Sequence, residues 1–177
     1  MTRRHLLRLL LPSLVVACLA VSCSSDGSSS NGDGTVPGGG ATTSTTEASA
    51  AKVSSEVLAE FAPPESPGYT MYLYRVVVPP GVQIPSHHHP GQQMARIQEG
   101  TLTYTVEQGT LQIGRNGADE PTETVTGPAT IELQTGDSVY EPESMVHHAV
   151  NEGDIDVVII ISSLITTGQP LSIPTSP

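Results

Sequence analysis

From Pro63-Pro64 onward the chain alternates short apolar and polar runs with a period of two, the signature of strands with one face turned inward. The runs are Tyr69 to Val78 (YTMYLYRVVV), Met94 to Ile97, Thr101 to Val106, Thr110 to Ile113, Thr130 to Leu133, Ser138 to Tyr140, His147 to Val150 and Asp156 to Ile161. Pro-Gly, Glu-Gly, Gln-Gly, Asn-Gly and Thr-Gly turn signals divide them. Eight or more short strands at such close spacing predict an all-β sandwich or barrel. Just before them, Val53, Val57, Leu58 and Phe61 recur at helical intervals, and Lys52 to Phe61 is expected to form a brief amphipathic helix. The stretch RNGADEPTETVTGPAT, from Arg115 to Thr130, predicts an extended acidic hairpin or loop. No longer internal repeat is visible.

The first residues, MTRRHLLRLLLPSLVVACLAVSC, give a basic start, a short apolar run and small residues leading to Cys23, the pattern of a signal peptide rather than a membrane span. Ala20-Val21-Ser22-Cys23 resembles a bacterial lipobox, in which the cysteine is lipidated and becomes the mature N-terminus. Val15-Val16-Ala17-Cys18 fits the same pattern, and free secretion is the remaining alternative. Arg3-Arg4 also resembles a twin-arginine export signal. The Ser/Thr/Gly-rich segment that follows Cys23 cannot bury apolar surface and predicts a disordered tether. The expected organisation is therefore a lipoprotein-type leader over 1–22, a tether over 23–51, one folded domain over 52–166 and an extended or disordered tail over 167–177.

Composition narrows the chemistry. Of 177 residues, eighteen are acidic and seven basic, a net charge of −11 that falls to −14 once Arg3, Arg4 and Arg8 leave with the leader. Such a surface excludes nucleic acid as a partner. Both cysteines lie in the leader region, so the folded domain has no disulfide, thiol nucleophile or thiolate ligand. Without Trp and with one Phe, the core must come from Val, Ile, Leu and Tyr, which favours strands.

The stretch IPSHHHPGQQM carries His87, His88 and His89. In a strand His87 and His89 share a face and His88 takes the other. Gln93 shares its parity with Ala95 and Ile97, which places it inward beside the histidine pair. His148, like His88, is expected on the outer face. Tyr104, in phase with Leu102 and Val106, is expected in the core, and Arg75 and Arg96 at the surface.

The spacing Gly81-x5-His87-x-His89-x3-Gln93-x6-Gly100 resembles the first motif of the cupin superfamily, with Gln93 where that family usually has Glu. The segment GDSVYEPESMVHHAVN resembles its second motif, as Gly136-x5-Pro142-x-Ser144-x2-His147-x3-Asn151, with Ser144 in place of the usual Gly. The resemblance implies a double-stranded β-helix, a jelly-roll-like barrel, of the small single-domain type. It also implies an interior divalent metal held by His87, His89, Gln93 and His147. Neutral imidazoles with an oxygen donor suit Mn, Fe, Zn, Ni or Cu.

Three functions follow as expectations. The first is a lipid-anchored extracytoplasmic protein that presents this metal to a small, anionic or chelating ligand. The second is a metal-dependent dioxygenase or related oxidoreductase, and the third a metal-free ligand-binding cupin. The membrane is reached only through the lipid, and the resemblance adds a homodimer as the expected assembly.

Overall fold

The computed structural model describes residues 51–175, and the leader, Cys23 and the tether lie outside the described residues. Twelve strands follow one another: β1 (Ser54–Phe61), β2 (Tyr69–Val78), β3 (Gln83–His88), β4 (Gly91–Glu99), β5 (Thr101–Gln108), β6 (Thr110–Gly114), β7 (Glu123–Thr126), β8 (Ala129–Gln134), β9 (Ser138–Glu141), β10 (Val146–Val150), β11 (Val157–Thr166) and β12 (Ile173–Pro174). All pair antiparallel, in one sheet ordered β1-β2-β11-β4-β9-β6-β7 and a second ordered β12-β3-β10-β5-β8. The inner eight form two four-stranded sheets, β2-β11-β4-β9 and β3-β10-β5-β8. The chain crosses between them at β2 to β3, β3 to β4, β4 to β5 and again from β8 to β11. That is the jelly-roll topology of a double-stranded β-helix.

Alternation along each strand fills the space between the sheets. On β4, Gln93, Ala95 and Ile97 are buried while Gln92, Met94 and Arg96 are exposed, and on β5 Leu102, Tyr104 and Val106 point inward. Val78, Leu111, Ile113, Leu133 and Val157 complete a core of branched aliphatic side chains. The lower half of β4 lies tight against β11, where a Cβ on Gly91 would run into the Leu164 carbonyl.

Residues 54–61 form a strand, not the expected helix. β1 adds to the edge of β2 over Ser54↔Val77 to Phe61↔Met71, with a bulge between Val57 and Ala59. Its side chains remain largely exposed, so the row of backbone groups on the β2 edge decides its conformation rather than burial of an apolar face. The acidic segment resolves into a 3-10 turn at Arg115–Gly117 followed by β7, which pairs with β6. Arg115 ties it down, its Nε donating to Glu123 and its Nη1 to Asp137. Beyond residue 166 the expected tail is extended and returns to the barrel, where Ile173 and Pro174 pair with His88 and His87.

Candidate metal centre

His87 lies near the end of β3 and His147 directly opposite on β10. Between these partners and the next pair, Ala149↔Ile84, β3 contains one residue more than β10. This bulge, at Pro85 and Ser86, resets the alternation, so that Ile84 and His87 both border the same interior cavity. A proline fits there because it has no N–H to give to the ladder. His89 follows in the short link to β4, where its carbonyl accepts from the backbone N–H of Ser144. One ring nitrogen from each of His87, His89 and His147 lies within 4.8 Å of the others.

Hydrogen bonds settle which nitrogens face inward. The Nδ1 of His87 bonds the Pro85 carbonyl at 2.7 Å, and that of His89 bonds the Leu171 carbonyl at 2.6 Å. A carbonyl only accepts, so both Nδ1 atoms carry the proton and each Nε2 is left as an acceptor, which in His89 takes an N–H from Gln93 at 2.9 Å. Imidazole oriented through its far nitrogen is the usual support of a metal ligand. His147 is held by its ring, stacked on Tyr104 at 5.0 Å between centroids. His88 and His148 stay outside the trio: His88 pairs with Ile173 at the barrel edge, and His148 bonds Glu107 at 2.6 Å.

Gln93 is buried beside the histidines, but its nitrogen faces them. Nε2 lies 2.6 Å from Glu141 Oε2 and 2.9 Å from His89 Nε2, while Oε1 accepts from the Tyr74 hydroxyl at 2.7 Å. A reversed amide would press oxygen against the carboxylate, so Glu141 dictates this orientation. Glu141 is the buried member of this cluster that the sequence did not disclose. It is 3% exposed, accepts from the Tyr104 hydroxyl at 2.9 Å through Oε1, and holds Oε2 at 3.5 Å from His89 Nε2 and 3.6 Å from His147 Nε2.

The electrostatics follow from these contacts. Burial pushes the His87 pKa down to about 4, with a further push from His147, and burial likewise lowers that of His89. Burial opposes the ionisation of Glu141, but His147, His89, the Gln93 amide and the Tyr104 hydroxyl outweigh it and hold its pKa below the ordinary value. Burial and then Glu141 raise both Tyr74 and Tyr104, which therefore stay protonated donors. At neutral pH the cluster thus holds a buried carboxylate beside the neutral imidazoles of His87 and His89. No Lys or Arg is among the residues lining the cavity. An unpaired buried charge costs several kcal/mol, and a cation among the histidines removes that cost. Donor chemistry, charge and the tautomers of His87 and His89 fit a divalent metal.

The cavity above the cluster measures about 190 Å³. Val76, Ile97, Leu102, Leu133, Ile159 and Leu171 line it together with the three histidines, Gln93 and Glu141. The chemistry available is capture of a small molecule by its polar group at the histidine cluster, with apolar wall beside it.

No protein-family model matches the sequence, and no curated protein matches it either. Among solved structures, its neighbours are cupin and double-stranded β-helix proteins. A cupin-like protein from Thermotoga maritima is 22% identical, with a TM-score of 0.47 over 70% of this chain and 76% of that one. A conserved protein with a double-stranded β-helix domain from Klebsiella pneumoniae is 19% identical, with a TM-score of 0.46 over 73% of this chain and 90% of that one. The DMSP lyase DddQ from Ruegeria pomeroyi is 20% identical, with a TM-score of 0.46 over 60% of this chain, which spans 44% of the lyase. The double-stranded β-helix fold of the chain rests on its own strand order, two antiparallel sheets joined by jelly-roll crossings.

Proposed function

We propose that this protein is a divalent-metal-binding cupin, anchored by lipid at Cys23 on the outer side of a bacterial membrane, that binds a small chelating molecule through the metal. The observation that carries the metal is the trio of His87, His89 and His147, whose ring nitrogens lie within 4.8 Å of one another, with the buried Glu141 carboxylate 3.5–3.6 Å from two of them. His87, His89 and His147 hold the ion, which supplies Lewis acidity to a bound oxygen or nitrogen atom. The apolar wall binds the body of the ligand and excludes water, and Tyr74 and Tyr104 remain protonated donors to Gln93 and Glu141. Glu141 would cancel part of the ion's charge, which favours a chelating ligand over one that is merely anionic. The lipid anchor rests on the leader, the AVSC segment and the Ser/Thr/Gly-rich spacer.

A metal-dependent oxidoreductase of the dioxygenase kind is the second reading, and Glu141 favours it too, as a buried carboxylate able to hold a proton beside the site. One preparation serves for both. Protein purified after native export is expected to carry about one divalent ion per chain, with most of it lost in His87→Ala, His89→Ala and His147→Ala and retained in His88→Ala. Elemental analysis reads this, and mass spectrometry of the same material is expected to find a lipidated Cys23. No metal in the parent protein sinks both readings. Oxygen uptake with small chelating substrates separates them.

A further inference from the structure

We propose that Glu141 is the anionic ligand of the metal, standing in for the carboxylate that position 93 lacks, and that Gln93 is the donor that positions it. This rests on the metal-binding reading above. Gln93 and Glu141 are direct cross-strand partners between β4 and β9, and their side chains meet at 2.6 Å. Moving the acid from one partner to the other shifts it by a single strand while both side chains stay buried in the same cluster. The chain therefore keeps one carboxylate and one amide, with their places exchanged.

The amide cannot serve in the same role. Its oxygen is engaged by Tyr74, and the nitrogen that faces the histidines has no lone pair to offer an ion. Glu141 has what is needed. Oxygen and nitrogen donors bound to one ion at about 2.0–2.2 Å lie roughly 3 to 3.6 Å apart. Oε2 of Glu141 is 3.5 Å from His89 Nε2 and 3.6 Å from His147 Nε2. Its other oxygen is fixed by the Tyr104 hydroxyl at 2.9 Å, the kind of outer hydrogen bond that orients a ligating carboxylate. The donor atoms within 4.8 Å of one another are those of the three histidines, so Glu141 meets the ion from the side of His89 and His147; three imidazoles and this carboxylate would leave a divalent ion with one net positive charge, a set that suits Mn, Fe, Co or Zn.

The test is a charge exchange in the full chain, stripped of metal and titrated with Zn²⁺ by calorimetry and with Co²⁺ by visible absorption. Removing the carboxylate in Glu141→Gln is expected to weaken both ions by more than the ~10–100-fold typical of losing an outer-shell partner. The Co²⁺ bands should shift as an anionic oxygen leaves the ion. The double variant Gln93→Glu/Glu141→Gln restores one acid and one amide to the same pair, and is expected to recover affinity to within about tenfold of the parent. It also keeps the chemistry of the buried pair, which guards against a Glu141→Gln chain that fails to fold. If the parent binds metal and Glu141→Gln binds it equally well with unchanged Co²⁺ bands, Glu141 is not a ligand. A folded double variant as weak as a folded Glu141→Gln overturns the exchange between strands. A parent that binds neither ion defeats the metal reading itself, a distinct failure.

Discussion

Ser144 occupies the place where the second cupin motif usually has glycine, and its φ of 65° shows what that place demands. A side chain in the left-handed region costs about 1–2 kcal/mol, and glycine's extra freedom in the unfolded chain offsets roughly 0.5–1 kcal/mol of the relief. Ser144 is exposed and only its backbone touches the site, through the His89 carbonyl. Ser144→Gly is therefore expected to raise stability by a few tenths to about 1 kcal/mol with metal affinity unchanged, as read from urea midpoints and Zn²⁺ titration. A lower midpoint would mean that the hydroxyl contributes something the geometry does not show. The histidines could be read from the chain because their spacing and parity are local properties. Glu141 could not. It is one of eighteen acids, lies beside a turn proline, and becomes unusual only through Gln93, 48 residues earlier, and Tyr104, 37 residues earlier.

Among the elements, the returning tail supports the site without supplying one of its histidines. Leu171 accepts the Nδ1 proton of His89 and also lines the cavity, and β12 clamps the end of β3 on which His87 sits. Truncation after Thr167 removes this acceptor and the strand while leaving the eight inner strands intact. Zn²⁺ affinity is expected to fall about 10–100-fold, the usual cost of losing the group that orients a ligating histidine. A truncated chain that keeps the parent's affinity would show that His89 is held by its own loop. Sequence patterning recovered β2 to the residue and most inner strands to within a few residues, because alternation there is driven by burial. It missed β1 and β12, whose conformation comes from pairing with a distant edge rather than from an apolar face. The bulge in β3 was also hidden, and His87 faces the cavity together with Ile84 only because of it.

At the scale of the whole domain, metal, protons and folding are linked. His87 has a folded pKa of about 4 against an ordinary 6.5, so the unfolded chain takes up that proton first. The stability this contributes is complete above 6.5 and is lost as pH falls through about 4. Glu141, also held below its ordinary value of 4.5, acts in the same direction, contributing stability above that value that is lost as pH falls. Metal-free protein is therefore expected to melt at progressively lower temperature from pH 6.5 down to 4, with a plateau above. A bound ion adds to this because it binds the folded form alone. At a free concentration one hundred times Kd it contributes about 2.7 kcal/mol, an increase in Tm on the order of 10 °C for a domain of this size. Protons compete for the same imidazoles, so the increment should hold at neutral pH and begin to shrink only as pH approaches about 4. Scanning calorimetry of chelated and Zn²⁺-loaded protein between pH 4 and 8 reads both curves. If they coincide at pH 7.5, no ion occupies the site. If they differ by a constant amount at every pH, the ion is held by groups other than these histidines.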